Sequence, residues 1–109
     1  MRWNLAILQR RIFYGKVGKG AELTEHVKRV NDIMTKHGID QPIRVLSDFN
    51  SGRTDRIVVE LRYESLTEME ATERRMFGEP NSQKDFDDYV VDLSRLIHHS
   101  EVEHWQLHS

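Results

Sequence analysis

The chain has 109 residues, 38% hydrophobic and 31% charged, with a formal net charge of −2 and no cysteine. That is the composition of one soluble globular domain, here residues 1–109, rather than of a disordered or membrane-spanning chain. The near balance of 16 basic and 18 acidic side chains excludes a strong footprint for nucleic acid or anionic lipid, and the absence of thiols excludes disulfides, a cysteine nucleophile and a cysteine zinc site.

The stretch "WNLAILQRRIFYG" (3–15) is rich in β-formers. Trp3, Leu5, Ile7 and Phe13 alternate on one face and Ala6, Leu8, Ile12 and Tyr14 on the other, so the strand is apolar on both sides and lies between two layers. Two arginines interrupt it, and it has neither the length of a membrane span nor the cleavage site of a signal peptide. "GKVGKG" is a glycine-rich loop whose spacing fails the Walker A pattern; an anion at the following helix N-terminus is the alternative to a plain loop. In "AELTEHVKRVNDIMTKHG" (21–38), Leu23, Val27, Val30, Ile33 and Met34 recur at helical spacing, and Gly38 stands where a helix ends.

"PIRVLSDFNSG" (42–52) and "RIVVELRY" (56–63) alternate at period two around the turn "NSGRT", which is a hairpin pattern. Ser65 with Glu68 marks a capped helix over 65–78. "EPNS" breaks the pattern, and residues 82–99 carry the clearest apolar helical stripe: Phe86, Tyr89, Val90, Leu93, Leu96 and Ile97. The end, 100–108, alternates again and reads as a last strand.

The order β-α-β-β-α-α-β predicts an α+β, ferredoxin-like antiparallel sheet with its helices on one face. The other face keeps Leu46, Val58 and one row of the first strand, and a symmetric partner is the simplest cover for it.

Four stretches resemble the dimeric α+β barrel superfamily: "RRIFYGKVGKGAEL", "RVLSDFNSGRTDRIVVELRYES", "SLTEMEATERRMFGEPNSQKDFDDYV" and "VEHWQL". The nearest likeness is to its NIPSNAP-like branch, and more loosely to the antibiotic-biosynthesis-monooxygenase-like proteins. The resemblance implies a homodimer with a pocket between sheet and helices in each protomer. It implies small-molecule chemistry of a monooxygenase, isomerase or cyclase kind without a bound cofactor. The histidine–asparagine pair of the haem-degrading branch has no match.

The candidate site is the polar sheet face. With the apolar hairpin rows against the helices, the opposite rows hold Arg44, Asp48, Glu60 and Arg62. With Trp105 and Leu107 also facing the helices, His104 and Gln106 join that polar face. The catalytic candidates are then His104, Glu60 and Arg62: His104 or Glu60 moves a proton and an arginine holds an anionic oxygen. A carboxylate beside arginine makes a poor base, which favours His104. Arg44, Asp48, Trp105 and Tyr63 are the substrate-binding candidates. The competing reading makes the same charges an ion network at the dimer interface. His98 and His99 end the last helix in this reading. His104 and His108, four apart on a strand, stand about 13 Å apart, too far to share a metal. The expectation is a cytoplasmic, cofactor-free homodimer, with a small-molecule ligand and neither nucleic acid nor membrane as partner.

Overall fold

The computed structural model describes residues 6–49 and 55–108. It contains β1 (Ala6–Gly15), α1 (Gly20–Lys36), β2 (Ile43–Ser47), β3 (Arg56–Tyr63), α2 (Leu66–Phe77), α3 (Pro80–Leu93) and β4 (Ile97–Leu107). Trp3 and Leu5 of the expected first strand, and the expected turn at 50–54, lie outside the described residues.

The strands form one sheet in the order β2-β3-β1-β4, with every neighbouring pair antiparallel. This is the ferredoxin-like arrangement that the element order implies. The row Ile57, Val59, Leu61 and Tyr63 of β3 is buried under the helices. Register carries that row across to β1, where Tyr63 pairs with Ile7, Leu61 with Gln9, Val59 with Arg11 and Ile57 with Phe13. Leu23, Val27, Val30 and Met34 of α1 share the core with Met76 of α2 and with Phe86 and Leu93 of α3. No described helix is long and apolar enough to cross a membrane.

Local chemistry sets the element ends. Gly38, at φ 67°, donates to the Thr35 carbonyl at 3.1 Å, and Ile39 N–H reaches back to Met34 at 2.8 Å. This closes α1 with a left-handed glycine and seals the end with two core side chains. At the other end of α1, the Asp55 carboxylate accepts from Gly20 N–H at 2.9 Å and from Gly18 N–H at 3.2 Å. The loop "GKVGKG" therefore does hold an anion, but the anion is the chain's own aspartate. Ser65 Oγ accepts the Glu68 N–H at 3.1 Å, and the Glu68 carboxylate accepts the Glu64 N–H at 2.7 Å, which starts α2. Pro80 stands in the first turn of α3, where its missing N–H costs nothing.

Two expectations need correction. The last helix stops at Leu93, and β4 begins at Ile97, so His98 and His99 are strand residues. Ser94–Leu96 turn back on α3, and Lys16 N–H takes the Leu96 carbonyl at 2.9 Å. The free edge of β1 gains Ile97 opposite Gly15 and His99 opposite Tyr14, which outweighs further helical turns. The Tyr14 and His99 rings stack at 4.3 Å.

The second correction is one of face. Across the β1–β4 pair, Gln9 meets His104 and Leu8 meets Trp105. His104 and Gln106 therefore share the helix side, and Trp105 and Leu107 the open side, the reverse of the expectation. Neither row of β4 is apolar throughout, so hydrophobicity does not decide between them; the register with β1 does, shifting at Tyr14/Gly15.

Candidate functional site

Between the helix-facing rows of the sheet and the three helices lies a cavity of about 250 Å³. Phe13, Leu61, Met76 and Phe86 supply apolar wall, and Gln9, Arg11, Tyr63, Glu73 and Tyr89 supply the polar groups. The polar groups come from β1, β3, α2 and α3, so the closed fold itself brings them together.

Gln9, 2% exposed, is the centre of the network. Its side-chain carbonyl accepts from Arg11 Nε at 3.2 Å. Its amide nitrogen donates to Glu73 Oε1 at 3.3 Å and lies 2.9 Å from His104 Nε2. With the carbonyl committed to arginine, the amide must face His104. His104 Nε2 is then the acceptor, and the ring proton belongs on Nδ1. Arg11 forms no ion pair among the described residues. The carboxamide separates it from Glu73.

Tyr63 is 1% exposed, and its hydroxyl has no hydrogen-bond partner among the described residues. Burial pushes its phenol up to about 12, with the Glu73 charge adding to the rise and Arg11 opposing it. It remains a neutral O–H donor at any ordinary pH. Burial also raises the Tyr89 phenol, against the pull of Arg11. The His26 ring stacks on Tyr89 at 4.6 Å, and His26 Nε2 lies 2.9 Å from the Tyr89 carbonyl oxygen, so the back wall is fixed.

The expected site residues divide into two groups. Tyr63 lines the cavity, and His104 stands at its edge on Gln9. Glu60, Arg44, Arg62 and Trp105 are on the other sheet face. There Glu60, 8% exposed, accepts from Arg44 Nε at 2.8 Å and lies 3.3 Å from Arg10 Nε. Arg10 also reaches Glu103 at 3.3 Å. Arg62 is exposed, 3.7 Å from Glu64, and Trp105, 54% exposed, donates to Glu103 at 3.0 Å. Asp48 pairs with Arg56 at 2.7 Å, and the hydrogen bond to Asp48 raises the Arg56 guanidinium further. Glu60 and Arg44 do meet, but His104 meets neither Glu60 nor Arg62: the sheet lies between them. Sequence reasoning missed Gln9, Arg11 and Glu73. Continuing the alternation Ile7–Phe13 through positions 9 and 11 would have found the first two. Among the described residues, no three metal-ligating side chains lie together.

No protein-family model and no curated protein sequence matches the chain. Solved structures do match. A NIPSNAP domain protein from Burkholderia xenovorans is 16% identical, with 94% of this chain and 95% of that one aligned at a TM-score of 0.74. A NIPSNAP family protein from Agrobacterium tumefaciens is 17% identical over 99% of this chain and 90% of that one, with a TM-score of 0.72. The fold is that of the NIPSNAP proteins. A putative antibiotic biosynthesis monooxygenase from Bordetella bronchiseptica has it too, at 11% identity, 96% and 99% coverage and a TM-score of 0.69. The NIPSNAP fold hosts its pocket without dictating what fills it, so the chemistry has to be read from the cavity.

Proposed function

We propose that this protein binds a small, mostly apolar molecule in the cavity between sheet and helices. Arg11 and Tyr63 hold one of its oxygens, and His104 moves a proton. The observation that carries this reading is Arg11, a guanidinium on an apolar cavity with no carboxylate paired to it. Such a charge is costly to enclose unless an anion meets it. Tyr63 offers a second, neutral donor to the same space. Two donors in a water-poor cavity favour a carboxylate or an enolate oxygen, and they favour it more as charge develops.

His104 is diagonal to Arg11 across the β1–β4 pair, about 7 Å away between backbone positions. With its ring proton on Nδ1, the basic lone pair of His104 is on Nε2, which now takes the Gln9 amide, and a substrate proton reaches it by displacing that amide. Glu60 suits it less, because Arg44 N–H groups take one of its oxygens and the Arg10 charge stands 3.3 Å from the other. The likeness in fold to a protein named as a putative antibiotic biosynthesis monooxygenase supports chemistry on a small organic molecule, carried out here without a resident cofactor.

In this reading Glu60, Arg44, Arg62, Asp48 and Trp105 belong to a sheet-to-sheet homodimer contact and not to the substrate. A chain without cysteine suits work in the cytoplasm.

The test uses benzoate and its neutral isostere benzamide. Millimolar benzoate raises the melting temperature of the wild type by a few degrees, while benzamide does much less. Arg11→Gln folds and loses the benzoate effect; His104→Ala keeps it. An Arg11→Gln protein that binds benzoate as the wild type does would overturn the reading.

A further inference from the structure

We infer that the ligand is a free, linear medium-chain monocarboxylate, its head on Arg11 and its tail leaving the cavity between Phe77 and Val90. This rests on the head-group reading above and adds the shape of the molecule.

Size comes first. The cavity, about 250 Å³, is smaller than the roughly 300–1,000 Å³ of ordinary ligand pockets. A ligand therefore either stops at about one ring or projects outward. The walls favour projection. Phe77 and Val90 line the cavity, yet they are also 42% and 51% exposed. They are a rim, apolar on the inside and on the outside. Val102, 45% exposed, pairs with Arg11 across β1–β4 and stands on the same face. The whole row Ser100, Val102, His104 and Gln106 is exposed. The apolar side chains at the mouth are thus Phe77 and Val90 on the helices and, among the polar Ser100, His104 and Gln106, Val102 on the sheet.

Charge gives the direction. The cation is inside and the apolar surface is at the exit. A carboxylate head on Arg11 with an alkyl tail over Phe77, Val90 and Val102 matches this polarity; a molecule polar at its outer end does not.

Hexanoate, octanoate and decanoate, each below its self-association concentration, test this by calorimetry on the intact protein. In the wild type, affinity rises toward decanoate by about fourfold for each methylene fully buried. Val102→Gln, an exposed strand position, keeps hexanoate binding and flattens the rise. Arg11→Gln weakens all three. If hexanoate and benzoate bind through Arg11 but decanoate gains nothing, the ligand is compact; this inference fails while the head-group reading stands. A rise that Val102→Gln does not alter overturns it too, since the tail is then elsewhere. If neither benzoate nor any of the acids binds, the head-group reading fails and takes this one with it.

Discussion

Gln9 keeps two opposite charges from cancelling. Its carbonyl takes Arg11 and its amide takes Glu73, so neither is neutralised by the other and Arg11 stays available. Gln9→Leu leaves Arg11, Glu73 and His104 without their shared, buried partner. The expected cost is about 1–3 kcal/mol, a melting point lower by several degrees. Gln9→Glu separates structure from function. It keeps the shape but puts one carboxylate oxygen against Arg11 and the other against Glu73, so scanning calorimetry should find a less stable, folded protein no longer stabilised by benzoate. Retention of the benzoate effect in Gln9→Glu would remove Arg11 as the anion site. These residues were hard to find for a physical reason. A glutamine and an arginine inside a strand interrupt an apolar row, and the eye assigns them to solvent. Here they remain on the buried row because backbone parity, not polarity, sets the face. Tyr63 was legible because its whole row is apolar. His104 was legible as a candidate but not as to face, since β4 has no apolar row to orient it.

At the scale of elements, Asp85 of α3 fastens the C-terminal end of α1. Its Oδ2 lies 2.8 Å from Lys36 Nζ and 2.6 Å from His37 Nε2. The hydrogen bond from Lys36 first, and that from His37 second, hold its carboxyl below the ordinary value of 3.8. A carboxyl more acidic in the folded chain than in the unfolded one stabilises the fold above its unfolded value. That contribution fades as pH falls from there through the lower folded value. Asp85→Asn should therefore unfold at lower urea than the wild type at pH 7 and pH 5. The gap should narrow below about pH 4 and close as the wild-type carboxyl protonates. A gap that persists unchanged at pH 3 would mean the aspartate acts through packing. Most elements were legible, because strand alternation and helical stripes are period signals that single residues cannot erase. The boundary at Leu93–Ile97 was not. Leu96 and Ile97 fit a continued helical stripe, and only the unpaired edge of β1, a partner distant in sequence, draws them into strand.

For the whole molecule the open sheet face is the unfinished part. Its centre is ionic, with Glu60 between Arg10 and Arg44, and its margins hold Leu46, 38% exposed, and Trp105, 54% exposed. Buried ions alone bring little affinity, because desolvation offsets their attraction. They do set orientation, and the apolar margin supplies the drive. A second copy turned by a two-fold axis would lay the same mixed surface against itself. Sedimentation equilibrium should then give twice the chain mass at micromolar concentration, and the melting point should rise with concentration. Trp105→Glu removes a large anchor and adds a carboxylate near Glu103. It should weaken association by at least about 30-fold, or roughly 2 kcal/mol. Arg62→Ala, which removes an exposed charge from the rim of that contact, should leave association within about twofold. A wild type that sediments as one chain at 100 micromolar, the loading concentration, would end the dimer reading. The cavity would survive that result, because every polar group it presents comes from within a single chain.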